Sequence, residues 1–349
     1  VAVLVVNASL LLALRGGSPA LRLAAATCIA GVAMVVVLAA QANTVAASQP
    51  APGAIDVRLV QPNMPDSAYL AAATLPAARR ALVDHLVVLA NGGHGSAGGE
   101  AGLIIMPEAA WPGPVRLDAT GTSAGDPITT RRSVPQPLVF GAASATNSAA
   151  NHGERRAGEG NAGSPQYANS AFLLEQGRLT HVQDKVHLVP IAESGLHGGA
   201  GPTVFQAGGV SLAVIICYDV VFPGTARAAV RSGAEALAVL TDDSFAARGD
   251  VPVLHLKVAV FRAVETGVPV ALASNTGPSA LVAAGGRIVA RTPALVTTTL
   301  TATLPLARRS TPFVRFGDWT GRMAALASIA VTAVAWRGGG AGSFGSRPT

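Results

Sequence analysis

Val210-Ser-Leu-Ala-Val-Ile-Ile-Cys217-Tyr218-Asp219 is an apolar run, long enough for one buried strand, that stops abruptly at a thiol, a phenol and a carboxylate. Runs of the same kind occur on both sides of it, at Ile55–Val60, Leu103–Met106, Leu138–Ala143, Ser170–Leu174, Ala236–Leu240, Val268–Ala273 and Ala280–Ala284. Helical patterns lie between them, over Ala68–Ala90, Gly224–Ser232 and Val253–Thr266. The last of these places Leu254, Val258 and Phe261 at helical spacing. Strands and helices that alternate in this way predict an α/β layered domain over residues 54–305. Asn147–Gln166, rich in Gly, Ser, Asn and charge, reads as a mobile loop. Gly93-His-Gly95-Ser-Ala-Gly98 matches a dinucleotide fingerprint in letters only. It precedes a strand instead of opening a helix after one, so it is rejected as such a site.

Three segments carry chemistry. Leu103-Ile-Ile-Met-Pro-Glu108 ends a hydrophobic strand in a carboxylate, and Asp184-Lys185-Val-His187-Leu-Val-Pro190 is followed closely by Glu193. The third is the Cys217 strand itself. Each puts a reactive group at a strand end or in the loop after it, where layered α/β domains collect their sites. A thiol near its free pKa of ~8.5 is mostly protonated at neutral pH and needs a base or a cation beside it. Glu108 suits the base, Lys185 suits stabilisation of a thiolate and an oxyanion, and Glu193 suits positioning Lys185 or moving the proton. This division of labour fits acyl transfer through a thioester.

Taken singly, each residue has a plainer reading. A Glu after Met-Pro is more often a turn or cap residue, a Cys at a strand end is more often core, and a lone lysine is usually on the surface. His187 reads as structural, and Asp242 and Asp243 read as caps of a strand-to-helix turn. The joint occurrence in these local contexts reverses the odds.

Half the residues are hydrophobic, 13% are charged and 4% are aromatic, so the apolar content is mostly Ala, Val and Leu. The formal charge of +6 comes almost wholly from Arg, since Lys185 and Lys257 are the only lysines. No nucleic-acid motif accompanies that charge, so a membrane or a scattered solvated surface is favoured over nucleic acid. Of the two cysteines, Cys28 lies in an apolar run far from Cys217, which argues against a disulfide. A Cys-x-x-Cys or Cys/His zinc pattern is absent from the sequence. Leu23–Ala40 is 18 residues without a charge, enough to span a bilayer, with the apolar Val1–Leu14 before it. The Ala-Gln-Ala near residue 42 resembles a signal cleavage site, but a preceding apolar segment favours the span. Arg15 and Arg22 place the intervening turn in the cytoplasm and the domain outside. Residues 1–42 are therefore expected to hold about two spans. Residues 316–337, with Trp319 and Trp336 marking its interfaces, are expected to hold a third, and a Gly-rich tail runs over 338–349.

Met106-Pro-Glu108, Asp184-Lys185-Val-His187-Leu-Val-Pro190 and Ile216-Cys217-Tyr218-Asp219 resemble the Glu, Lys and Cys motifs of the nitrilase (carbon–nitrogen hydrolase) superfamily. Several further segments resemble its apolipoprotein N-acyltransferase branch. They are Val60-Gln61-Pro-Asn63-Met-Pro65, Asn169-Ser170-Ala171, Arg262-Ala-Val-Glu265, Ser274-Asn275-Thr-Gly277 and Phe316-Gly317-Asp318-Trp319. The resemblance implies an αββα sandwich on the outer face of a membrane, flanked by transmembrane helices. It also implies transfer of an acyl chain from a phospholipid donor, through Cys217, to the N-terminal amine of a lipoprotein. No metal or organic cofactor is implied. Glu108 maps to the base, Lys185 to the oxyanion lysine, Cys217 to the nucleophile and Glu193 to a second carboxylate, while Tyr218 and Asp219 map to the pair after the cysteine. The chain departs from the pattern at Asp219, where a Glu is usual, at Ala192-Glu193-Ser194, and at Asp242-Asp243-Ser244-Phe245. A membrane-tethered amidase that passes the acyl group to water, and a non-catalytic protein that keeps the fold, are the alternatives.

Overall fold

The computed structural model describes residues 53–93, 100–117, 134–146, 165–246, 249–306 and 310–319, with isolated positions at 26, 31, 321, 322, 325, 326 and 329. The loop expected at Asn147–Gln166 (except its last two residues), the letter motif after Gly93 and Cys28 lie outside the described residues. So do the spans expected within 1–42 and 316–337, apart from the isolated positions and 316–319. Among the described residues no helix is long and apolar enough to cross a membrane. Two compact units are distinguished, Pro50–Val314 and a second made of Val1–Gln49 with Arg315–Thr349. The first carries the elements described below.

Its order is β1 (Ala54–Gln61), α1 (Asp66–Thr74), α2 (Pro76–Ala90), β2 (Leu103–Ile105), β3 (Val115–Leu117), β4 (Leu138–Thr146), β5 (Gln166–Glu175), β6 (Arg178–Asp184), β7 (Val204–Ala207) and β8 (Val210–Ile216). Then come α3 (Pro223–Arg231), β9 (Ala236–Thr241), α4 (Val251–Thr266), β10 (Val270–Ser274), β11 (Ala280–Val282), β12 (Ile288–Arg291) and β13 (Thr298–Pro305). One sheet runs β13-β1-β2-β4-β5-β6 with β3 beside β4, and the other runs β12-β11-β10-β9-β8-β7. The centres are parallel (β1, β2 and β4; β8, β9 and β10), and antiparallel strands close the edges.

Strand alternation builds four layers. Leu103 and Ile105 of β2 face Val214 and Ile216 of β8 across one apolar core between the sheets. The intervening Ile104, with Met106 just beyond the strand, turns the other way, onto Leu82, Leu86 and Leu89 of α2. On the far side Ala213 and Ile215 meet Ala226 and Ala229 of α3 and Ala259 and Ala263 of α4. Both faces of each sheet are covered, which is why these strands read as continuous apolar runs.

Three expectations are corrected. Ala68–Ala90 is not one helix, because Pro76 biases Leu75 toward extended backbone and opens a new helix at its own position. The apolar stripe Leu254 and Phe261 on α4 is largely exposed, and it is Leu256, Ala259 and Ala263 that are buried. The segments β3, β6, β7, β12 and β13 were not expected from the sequence. Gly267 ends α4 in the left-handed region at φ +71°, returning its N–H to the Ala263 carbonyl, a conformation that favours glycine.

Candidate active site

Glu108 follows β2, Lys185 follows β6 and Cys217 follows β8, so all three leave the carboxyl ends of their strands. Lys185 is buried to 1% side-chain exposure, and its ammonium lies 3.0 Å from Oε1 of Glu108 and 3.0 Å from Oε1 of Glu193. A buried ammonium is tolerated only when paired and hydrogen-bonded, and here two carboxylates flank it. The Asn169 amide nitrogen on β5 donates to the same two oxygens, at 2.7 and 2.8 Å. The Asp242 N–H, just after β9, donates to Oε2 of Glu108 at 2.9 Å, and the Val189 N–H donates to Oε2 of Glu193 at 2.7 Å. Both carboxylates are thereby fixed in orientation.

Cys217 sits where β8 passes into a short 3-10 turn, Cys217–Val221, and its φ of +46° is rare for a residue with a Cβ. Such strain costs roughly 1–3 kcal/mol and persists where surrounding structure imposes it. The thiol is buried. Burial pushes its pKa well up, with the charge and hydrogen bond of Glu108 and the charge of Asp243 adding to the rise and Lys185 opposing it. Burial pulls the Lys185 ammonium down. Glu108, the thiol and the hydrogen bonds to Glu108 and Glu193 outweigh that pull, so the net shift is upward. For Glu193, burial acts upward, but the Val189 N–H, Asn169 and Lys185 bring it below the usual carboxylate range.

The carbon–nitrogen hydrolase family profile matches residues 45–311. The chain belongs to that family. Among curated relatives, the apolipoprotein N-acyltransferase of Brucella suis biovar 1 is 31% identical over 261 residues, 68% of this chain and 45% of that protein. The Thermotoga maritima apolipoprotein N-acyltransferase is 36% identical over 169 residues, covering 43% and 34%. That of Geobacter metallireducens is 30% identical over 191 residues, covering 49% and 37%. The chain thus spans less than half the length of these curated relatives. Among solved structures, the amidase from Nesterenkonia sp. AN1 in complex with butyramide is 23% identical with a TM-score of 0.51, over 72% of this chain and 91% of that one. A Saccharomyces cerevisiae member of branch 10 of the nitrilase superfamily is 21% identical with a TM-score of 0.50, over 74% and 92%. At these identities the likeness is one of fold.

Within this carbon–nitrogen hydrolase domain the residues after the cysteine divide their work. Asp219, fully buried, accepts from the Val186 N–H (3.1 Å) and the His187 N–H (2.7 Å) and pairs with the His187 ring at 2.9 Å. It therefore ties the cysteine turn to the loop carrying Lys185. His187 stacks on Phe222 at 3.8 Å, and Tyr218 packs edge-on against the same ring. Among the described residues Tyr218 makes no hydrogen bond to Glu108, Lys185 or Cys217.

Asn169, the Asp242 N–H and Asn275 were missed as site components. Asn275 donates to Oδ1 of Asp242 and exchanges two hydrogen bonds with the Met64 backbone. It pins the loop after β1 beside the strand end that holds Glu108. Gln61 is buried and saturated by Ser279, Thr292, Pro293 and Val296. The motifs around Gln61 and Asn275 thus act as loop clamps. Their signal in the sequence was a polar amide at the end of an apolar strand.

Proposed function

We propose that the chain is an N-acyltransferase in which Glu108, Lys185 and Cys217 act together, moving an acyl chain from a phospholipid to the amine of a lipid-modified N-terminal cysteine on a lipoprotein. The observation that carries the reading is a buried ammonium held 3.0 Å from each of two carboxylates, beside a buried thiol at a strained strand end. Because its pKa is raised, the resting thiol holds its proton, so attack and deprotonation must coincide. Cys217 Sγ bonds to the ester carbonyl carbon as Glu108 takes the thiol proton. The Lys185 ammonium, held by Glu108 and Glu193, faces the oxygen that gains charge. Glu108 then returns the proton to the departing glycerol oxygen, leaving a thioester and a lysophospholipid. In the second half the amine attacks that thioester, Glu108 takes a proton from the nitrogen and returns it to the sulfur, and the amide leaves.

The proposed membrane setting has the domain on the extracytoplasmic side. It is supported by the uncharged Leu23–Ala40 run and by the relatives' names. Exposed apolar side chains on the loops that carry the site, Ile191 before Glu193, Val221 after Cys217 and Phe245 after Asp242, suit an acyl-chain substrate. A test supplies acyl-labelled phospholipid and a synthetic diacylglyceryl-cysteine peptide to the full chain in detergent or vesicles. Label in an N-terminal amide supports transfer. Label released only as free fatty acid would reassign the protein to hydrolysis.

A further inference from the structure

We propose that Cys217, Asp243 and His255 form a binding site for a soft divalent cation of the zinc class, by which the thiol can be reversibly masked. β8 and β9 are parallel neighbours, so their carboxyl ends set Cys217 and Asp243 side by side, and α4 brings His255 across them. One ligand atom from each of the three lies within 4.8 Å of the others, and all three residues are buried. The Asp243 carboxylate holds the His255 ring at 2.7 Å through Oδ1. Its Oδ2 is buried and has no hydrogen-bond partner among the described residues, and Asp243 is 0% exposed. A buried carboxylate oxygen with an unused lone pair is costly, and a cation satisfies it.

A thiolate, an imidazole and a carboxylate are the donors zinc takes, at ~2.3 Å for sulfur and ~2.0–2.2 Å for nitrogen and oxygen. Charge balances as well. The thiolate and the carboxylate supply two negative charges against the cation's two positive ones, and Lys185 is already matched by Glu108 and Glu193. On binding, the Cys217 S–H bond breaks, a sulfur–metal bond forms and the proton leaves to solvent, with no change of oxidation state. The site depends on where these atoms lie and not on the acylation reading, although a metal-bound sulfur is unable to attack an ester. The cation would be an inhibitor, not a participant in the reaction.

The test titrates the full chain with Co2+, whose bond to a thiolate gives a near-ultraviolet charge-transfer band. The expected result is a band that Zn2+ abolishes by displacement, that is absent in Cys217→Ala, and that needs at least tenfold more Co2+ in Asp243→Asn and His255→Gln. A band of unchanged affinity in both of those variants, or none that depends on Cys217, overturns the site. X-ray absorption of the Zn2+-loaded wild-type chain avoids any folding defect of the variants. One sulfur together with imidazole nitrogen supports the proposal, and sulfur without imidazole contradicts it.

Discussion

A methyl group placed on Gly141 would stand 2.6 Å from the Cα of Glu108. The atoms it would meet next, the Ala109 nitrogen at 2.7 Å and the Pro107 oxygen at 2.8 Å, are also backbone and have no rotamer to move into. The two segments are stitched together, with the Gly141 N–H donating to the Pro107 carbonyl and the Trp111 N–H donating to the Gly141 carbonyl. Gly141→Ala should therefore push the Glu108 loop off β4. Overpacking of this kind typically costs about 1–3 kcal/mol, so a fall of several degrees in Tm is expected together with slower acylation of Cys217. An unchanged Tm and an unchanged acylation rate would show that the close approach has no role in placing Glu108.

Asn169 lets two carboxylates share one lysine. Without its amide, Oε1 of Glu108 and Oε1 of Glu193 face each other across Lys185 with one donor fewer each. Single-turnover acylation should slow at least tenfold in Asn169→Ala, on the scale of roughly 1.4 kcal/mol per tenfold. Asn169→Asp should be slower still, because it adds a third carboxylate to one ammonium. An Asp variant as fast as the wild type would contradict the electrostatic reading.

Glu193 gives a pH dependence of stability. Its carboxyl lies below the usual range in the folded chain, because the Val189 N–H, Asn169 and Lys185 outweigh the upward effect of burial. A depressed carboxyl stabilises the fold above the unfolded pKa of ~4.3, and that contribution is lost as pH falls through the folded value. Tm should drop more steeply between roughly pH 5 and 3 in the wild type than in Glu193→Gln. Parallel curves would mean that Glu193 gains nothing from its partners.

The thiol shift has the opposite sense. Burial raises the Cys217 pKa, so its alkylation by iodoacetamide should be slow at neutral pH and should still be rising beyond ~8.5, where an ordinary thiol levels off. A plateau at or below that pH would show a thiolate already present at rest, and the concerted role given to Glu108 would then be unnecessary.

The groups proposed to react were legible because each ends an apolar run, and an abrupt polar residue there stands out against its neighbours. Asn169 was not legible as part of the site. It stands just before the expected strand Ser170–Leu174, and only the fold, in which β5 begins at Gln166, shows it turned toward Glu108. Thr298–Pro305 escaped for a related reason. Its Thr residues break up any continuous apolar run, and only pairing with Ala54–Gln61 makes the segment a strand of the sheet. Helix length in the Ala68–Ala90 region was overestimated because apolar periodicity runs through Pro76 while the backbone does not. The Asp243–His255 pair, twelve residues apart in sequence, becomes a unit only when α4 folds back over β9.

On the proposed reading Cys217 carries the acyl group. The direct measurement is intact-protein and peptide mass spectrometry of the full chain after incubation with a phospholipid of defined acyl chains. The expected result is a gain of one acyl chain on the peptide containing Cys217, removed by hydroxylamine, discharged by an amine acceptor, and absent from Cys217→Ala. An acyl group found on another residue, or retained in Cys217→Ala, would contradict it.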